Sequence, residues 1–367
     1  MNICVLGCGM QGSVAAQDLF KAGHSVTVFD SNIDHLRKLK RMADMHIEQF
    51  DVKNKAKLIT LMKGFDIIVG ALPAALGYYT MECAVIAHVD LVDMSYSARD
   101  PFLLHEKAKR IKMRIVPDAG FAPGLSNVLI GEIYQRYGGI DYLRILVGGI
   151  PQRPVLPFNY YITWSLSDLI EEYTRPSRIV RNHRLTTVPA LSGIEEFSMA
   201  KIGRLECFYT DGLRTLLKTM KNVKNMEEKT IRYPGHANLF KTIIECGLLS
   251  DQKICCGNRS VKIKDVTSDY LREILRRGDH RDLSVLLIEI RKGKRKKRYT
   301  CIDHYDEKNG ILSMARMTAY TGSLITQCIK KYPRFGVIPP EYLGMRDDLY
   351  KFILAELEKR NIDIKTN

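Results

Sequence analysis

From Asn2 to Pro117 short apolar runs alternate with amphipathic stretches, the pattern of successive βαβ units and a doubly wound parallel sheet. The predicted strands are Ile3 to Leu6, Ser25 to Phe29, Ile47 to Phe50, Ile67 to Val69, Leu91 to Val92 and Ile115 to Val116, each short and rich in β-branched or aromatic residues. Between them, apolar positions at helical spacing predict helices over Met10 to Ala22, Asp34 to Met42, Lys55 to Met62, Leu76 to Ala87 and Pro101 to Ile111. Past Gly120 the rhythm changes. Strand-like segments near 142 to 148, 158 to 164, 283 to 291 and 298 to 303 stand between longer connections, so an α+β second domain is expected, with a sheet that is antiparallel or mixed. Helix-like runs from Ser313 to Lys331 and from Leu349 to Arg360 flank a turn at Val337-Ile338-Pro339-Pro340. The expected division is a Rossmann domain over 1–118, an α+β substrate and dimerisation domain over 119–330, and a helical segment over 331–367.

The sharpest local signal is Gly7-Cys8-Gly9-Met10-Gln11-Gly12, directly after a strand and directly before a helix. Gly7 permits the tight turn, Gly9 lets the backbone approach a pyrophosphate and Gly12 lets the helix lie against the strand, while the helix start offers unpaired N–H donors. Asp30 ends the second strand at the distance expected of a ribose ligand. A carboxylate there accepts both ribose hydroxyls and repels a 2′-phosphate, and Ser31, Asn32 and Ile33 carry no cation, so NAD is favoured over NADP. Arg37 and Lys38, in the next helix, are the cations that would oppose this reading. Asp51 and Val52 are expected beside the adenine, and Ala71, Leu72 and Pro73 beside the pyrophosphate, because both loops follow strands.

Composition changes the picture little. The 367 residues are 46% apolar, enough for two packed cores, and the nine cysteines form no CxxC pair and no cluster at metal-ligand spacing, so reduced, mostly buried thiols and no metal are expected. With no charged leader and no apolar run near the roughly 20 residues of a membrane span, the expectation is a cytoplasmic protein without a membrane partner. The 56 Lys and Arg exceed the 41 Asp and Glu, a net +15, but the one dense cationic run, Arg291 to Arg298, lies between two strand-like runs. It reads as a solvated hairpin tip with Gly293 in the turn rather than a nucleic-acid site.

The segment Pro117-Asp118-Ala119-Gly120-Phe121-Ala122-Pro123-Gly124-Leu125-Ser126-Asn127 resembles the Gly-x-x-Pro-Gly signature of the saccharopine dehydrogenase family. Asn159 with Trp164-Ser165, Tyr209-Thr210-Asp211-Gly212, Arg232-Tyr233-Pro234-Gly235-His236 and Pro339-Pro340-Glu341 extend the resemblance over nearly the whole chain. The run from Asp118 to Asn127, with Tyr173-Thr174-Arg175-Pro176, is most similar to the lysine 6-dehydrogenase branch, which implies NAD-dependent oxidative deamination of the lysine side-chain amine. The resemblance also implies C-terminal helices that return to the Rossmann half and a homo-oligomer, most simply a dimer.

Amine oxidation needs a proton acceptor that works near neutral pH and, for an amino-acid substrate, a cation for the carboxylate. The strand ends supply Asp93, Tyr96 and Asp118 as candidates, and His236 opens a predicted helix. Arg232 is the candidate clamp, with Tyr233 beside it, and a surface Arg paired with Glu227 or Glu228 is the plainer reading. Trp164 is the sole tryptophan and adjoins the stretch that resembles the family's pocket wall; Asp211 reads more simply as the N-cap of a helix from Leu213 to Met220. Two alternatives stay open. A saccharopine or carboxynorspermidine type of reductase would use Arg153, Arg175, Arg178 or Arg204 for a second substrate's carboxylates, and a non-catalytic NAD-binding regulatory protein would use the basic hairpin as its output.

Overall fold

A computed structural model describes residues 1–257 and 259–367, which form two compact units, Met1–Gly138 with Ala315–Asp363, and Gly139–Met314 with Ile364–Asn367.

The first unit opens with β1 (Asn2–Leu6), α1 (Met10–Lys21), β2 (Ser25–Asp30), α2 (Ile33–Met42), β3 (His46–Gln49), α3 (Lys55–Met62), β4 (Ile67–Gly70), α4 (Ala74–Ala87), β5 (Asp90–Asp93), α5 (His105–Arg110), β6 (Arg114–Val116) and α6 (Leu125–Tyr137). Its strands pair in parallel in the order β6-β5-β4-β1-β2-β3, so the direction of winding reverses between β1 and β4. Burial explains the order. Ile3 to Leu6 and Ile67 to Val69 are fully buried, as central strands covered on both faces require, whereas β3, His-Ile-Glu-Gln, is an edge strand with its charges exposed. The six predicted strands and five helices are all present, to within a few residues at their ends.

The second unit contains β7 (Tyr142–Pro151), α7 (Leu166–Thr174), β8 (Ser177–Arg181), β9 (Arg184–Val188), β10 (Glu195–Met199), β11 (Gly203–Tyr209), α8 (Leu216–Thr219), β12 (Asn225–Arg232), α9 (His236–Glu245), β13 (Lys253–Cys256), β14 (Arg259–Lys262), α10 (Ile263–Ile274), β15 (Asp282–Lys292) and β16 (Arg295–His304). The chain ends with α11 (Ser313–Cys328), β17 (Gly336–Val337), α12 (Pro340–Gly344), α13 (Asp347–Lys359) and β18 (Ile364–Thr366). The large sheet runs β10-β11-β12-β7-β15-β16-β18 and is mixed, because β12 lies parallel to β7 while its other pairings are antiparallel.

Several expectations change. Residues 158–164 form no strand; Tyr160 and Ile162 instead bury their side chains in a core with Leu169, Phe208 and Phe240. The strands β8 to β12 were not anticipated, since β12 buries Glu228, Lys229 and Arg232 where an apolar strand is looked for. As compact units the chain divides at 138 and 314, because α6, α11 and the segment after it group with the first sheet. Asp18 of α1 accepts from Arg360 Nε at 2.8 Å and from Ser323 at 2.5 Å, Asn127 of α6 donates to Glu341 at 3.0 Å, and β17 extends the sheet beside β6. The basic run forms two strand ends joined through Gly293 (φ 54°), with Lys292 on Asp141 and Arg298 on Glu289. No described helix is long and apolar enough to cross a membrane. Among the described residues no cluster suits a metal ion; Cys4, Cys8, Cys83, Cys207, Cys301 and Cys328 are buried free thiols, Cys246 and Cys255 are exposed, and the Cys256 side chain lies outside the described residues.

Candidate functional site

The glycine loop lies at the carboxyl end of β1, beside the winding reversal where open α/β sheets bind ligands. A Cβ on Gly12 would stand 2.0 Å from the Gly7 carbonyl oxygen and 3.0 Å from the Ala71 Cβ, so only glycine lets α1 start this close to β1 and the β4 loop. Gly9 differs. A Cβ there would meet nothing within 4 Å, and Gly9 caps α1 with no side-chain bond and no acid in the first turn. Met10, Gln11 and Gly12 therefore open a helix whose positive end is left for an anion approaching over Gly9, a fit for a dinucleotide pyrophosphate.

Asp30 closes the loop from the neighbouring strand, its Oδ2 accepting the Cys8 amide at 2.6 Å and its Oδ1 the Asn32 amide at 2.7 Å. Burial and this carboxylate push the Cys8 thiol up to about 12, which leaves it unreactive at neutral pH. Arg37 is exposed and pairs with Asp34 at 3.5 Å. Ala71 donates to the Leu6 carbonyl at 2.9 Å, which sets Leu72 and Pro73 next to the glycine loop at the start of α4. Asp51 is exposed, whereas Val52 is buried and its carbonyl accepts the Tyr79 hydroxyl at 2.9 Å.

Two of the proposed acids share this sheet edge. The Ala119 amide donates to the Asp93 carbonyl at 2.8 Å, bringing the loops after β5 and β6 together. Asp118 is buried in left-handed backbone (φ 55°). Asp93 is fully buried; its carboxylate accepts the Ser95 amide and hydroxyl and presses on Gly70, where a Cβ would stand 2.2 Å away. Tyr96, in the same loop, is partly exposed.

The second unit carries a buried polar layer. Strand alternation puts Glu228, Thr230 and Arg232 of β12 on one face, with Glu206, Phe208 and the following Thr210 from β11 beside them. Arg232, 3% exposed, donates from Nε to the Tyr173 hydroxyl at 2.8 Å and lies 4.6 Å from the Tyr160 ring. Its carboxylate neighbour is Glu172 of α7, at 3.9 Å, rather than Glu227 or Glu228. His236 is wholly buried, with Nδ1 2.8 Å from the Phe158 carbonyl and Nε2 2.8 Å from the Tyr173 hydroxyl. A carbonyl only accepts, so Nδ1 carries the hydrogen and Nε2 takes the tyrosine's, which directs the chain from Arg232 through Tyr173 to His236. Burial, with Arg232 close by, lowers the imidazole to about 3. Such a ring holds its position and does not collect protons near neutral pH.

Other candidates are engaged in packing. Tyr233 points to the opposite face and donates to the Pro151 carbonyl at 2.9 Å. Trp164 donates to the Tyr160 hydroxyl at 3.0 Å at the border of the apolar core. The helix expected from Leu213 begins only at Leu216, with Thr215 at its N-cap position, and the Asp211 carboxylate takes Arg178 at 2.8 Å and Arg175 at 3.5 Å. Arg204 pairs with Glu196 at 2.6 Å. Glu172, Glu206 and Thr230 have no place in the sequence reading, and Tyr173, Thr210 and Glu228 enter it only within matched motifs or as a possible partner of Arg232. The available signal was the alternation Glu228-x-Thr230-x-Arg232, polar at period two ahead of a Pro-Gly turn.

Comparison with known proteins agrees with this architecture. Residues 3–120 match the family model described as the saccharopine dehydrogenase NADP binding domain, and residues 120–363 that of the saccharopine dehydrogenase C-terminal domain. The saccharopine dehydrogenase (NADP(+), L-glutamate-forming) of Pyricularia oryzae is 20% identical over 283 residues, 74% of this chain and 63% of that protein. The alpha-aminoadipic semialdehyde synthase of Arabidopsis thaliana is 20% identical over 243 residues, 62% of this chain and 23% of that protein. The chain thus spans less than two thirds of the length of these curated relatives. In fold it is similar to the apo L-Glu-forming saccharopine dehydrogenase of Saccharomyces cerevisiae, with a TM-score of 0.78 and 15% identity over 100% of this chain and 99% of that one. On the two family matches together, the chain belongs to the saccharopine dehydrogenase family.

Proposed function

We propose that the chain is a pyridine-nucleotide oxidoreductase that prefers NAD and oxidises the carbon bearing the side-chain amine of L-lysine. The observation that carries the cofactor part is the open approach over Gly9 with Asp30 behind it. Bound there, the dinucleotide supplies a hydride acceptor. Gly7, Gly9 and the first turn of α1 hold the pyrophosphate, and Asp30 accepts from the adenosine ribose. The family model that matches is described as NADP binding, but a 2′-phosphate beside Asp30 would meet a carboxylate, and the cations of α2 begin with the exposed Arg37.

For the proton, Asp93, Asp118 and Tyr96 remain the candidates on the sheet edge, with Asp118 also suited to hold an ammonium. His236 and Arg232 are assigned to support instead, since both are buried and hydrogen-bonded within the second unit. The lysine reading is favoured over a condensing one because three of the four cations offered for a second substrate's carboxylates, Arg175, Arg178 and Arg204, are already paired with Asp211 and Glu196, while the fourth, Arg153, is exposed. The relatives' names favour the second reading, a saccharopine-type reductase.

The deciding experiment is NADH or NADPH formation followed by absorbance, with L-lysine, saccharopine and other amino acids compared. Turnover of lysine with ammonia release supports the proposal. Activity on saccharopine alone moves the protein to the condensing reading, and inactivity on every substrate removes both. Asp30→Ala should weaken NAD about tenfold, the size of one lost hydrogen bond to a charged group, and leave NADP little changed. Preference for NADP in the unaltered protein overturns the ribose argument.

A further inference from the structure

The second unit holds a chain of four oxygens that links two carboxyl groups. Thr210 Oγ1 lies 2.7 Å from Glu228 Oε2 and 2.8 Å from Thr230 Oγ1, and Thr230 Oγ1 lies 2.6 Å from Glu172 Oε1. All three separations are hydrogen-bond distances, and each needs a hydrogen. The two threonines supply one apiece. With both carboxyls ionised, two hydrogens would have to fill three contacts, and one oxygen pair would face itself across a buried gap. One more hydrogen completes the chain, and the only groups able to carry it are the terminal carboxyls.

The residues are arranged to keep this chain closed. Glu228, Thr210 and Thr230 are buried, at 4%, 2% and 4% exposure, while the Glu172 side chain is 17% exposed. Glu228 Oε2 also accepts the Gly212 amide at 3.1 Å, and a Cβ on Gly212 would stand 2.5 Å from that carboxyl, so glycine is what lets the loop after β11 approach it. Arg232 and Arg175 face Glu172, and Asp211, itself held by Arg178, faces Glu228. Tyr160, Tyr173 and His236 surround Arg232 and add no charge at neutral pH.

We infer that Glu228, Thr210, Thr230 and Glu172 share a single proton and form a relay whose outer end is Glu172. In one state Glu228 donates to Thr210, Thr210 to Thr230 and Thr230 to the Glu172 carboxylate. Reversing all three bonds breaks the O–H of Glu228, passes one hydrogen along each threonine and forms an O–H on Glu172, so no proton is gained or lost. In the reversed state Glu228 is the anion, held by Thr210 and the Gly212 amide, and Glu172 stands neutral beside Arg232. Burial, reinforced by Glu172, raises Glu228 to about 8, in keeping with a loaded chain at neutral pH, and burial also raises Glu172.

The test is infrared difference spectroscopy of the full chain without ligand, in water and deuterium oxide, between pH 6 and 10. At pH 7 the wild type should show a protonated-carboxyl stretch that shifts in deuterium oxide and disappears in Glu228→Gln, which keeps the shape and the bond to Thr210. Thr230→Val cuts the chain and leaves both carboxyls in place, and Glu172→Gln removes the opposing charge. Each should lower the midpoint at which the band is lost by about one pH unit. A wild type without the band, a band that persists in Glu228→Gln, or a midpoint that stays put in Glu172→Gln overturns the shared proton. If Thr230→Val does not fold, Glu172→Gln decides alone.

Discussion

The glycine loop of the first unit and the polar layer of the second are both built from groups that need partners, and they treat that need in opposite ways. At the loop, donors are left over. The first amides of α1 have no side-chain cap, and the space above Gly9 is open. In the polar layer nothing comparable is left. Arg232, Tyr173, His236 and the two threonine-bridged carboxyls satisfy one another inside a closed face. The difference teaches that the density of charged side chains does not locate a binding site, because buried charges are retained only when paired, whereas unspent backbone donors on an open edge are an invitation to an anion.

The strongest way to break this comparison is to remove the cation at the centre of the polar layer. Arg232→Ala should cost about 3–5 kcal/mol of stability, as expected when one member of a buried charged network is lost. Denaturant midpoints measure this, and a loss below about 1 kcal/mol would show that the layer tolerates an open charge and could receive a ligand.

The pH dependence sharpens the same point from two sides. His236 has its pKa lowered from 6.5 to about 3, so the unfolded chain takes up a proton that the native state refuses, and stability falls as pH drops from about 6.5 towards 3. Glu228 has its pKa raised from 4.5 to about 8, so the native state keeps a proton that the unfolded chain releases, and stability falls as pH rises from about 4.5 through 8. Each slope approaches about 1.4 kcal/mol per pH unit. Comparing wild type with His236→Gln should remove the acid limb, and with Glu228→Gln the alkaline one; a variant whose curve parallels the wild type refutes that assignment.

At the loop the expected effect is smaller in stability and larger in binding. Gly12→Val forces a side chain against the Gly7 carbonyl and should cost about 1–3 kcal/mol, with dinucleotide affinity reduced at least about tenfold. Fluorescence titration with the reduced cofactor checks it, and unchanged affinity would place the site elsewhere. The smallest change concerns the basic hairpin. Replacing Lys294 and Lys296 with Gln should alter stability by no more than about 0.5 kcal/mol and leave dinucleotide binding intact, since both residues are exposed. A steeper loss would make the hairpin part of the folded core.

Legibility in the sequence followed the same divide. Every element of the glycine-loop site could be named in advance, because strand, glycine turn, helix and acidic strand end are contiguous or regularly spaced. The polar layer could not. Arg232 and His236 were noticed, but their partners Glu172 and Tyr173 lie some 60 residues away on α7, and β12 hides its strand character behind Glu227, Glu228 and Lys229. Beside the clamp role, the plainer alternative for Arg232 was a surface pair with Glu227 or Glu228, whereas the fold brings Glu172 instead.

The sequence by itself determined the doubly wound first sheet, its helices and the cradle at Gly7 to Gly12, since hydrophobic period and glycine sterics act over a few residues. Only the tertiary structure decided that β12 runs parallel to β7, that Asp18 and Arg360 are residues through which the returning C-terminal helices hold the first unit, and that His236 is neutral. Those outcomes depend on burial and on partners far apart in the chain, and the pKa of a side chain is set by the environment that folding builds around it rather than by its neighbours in sequence.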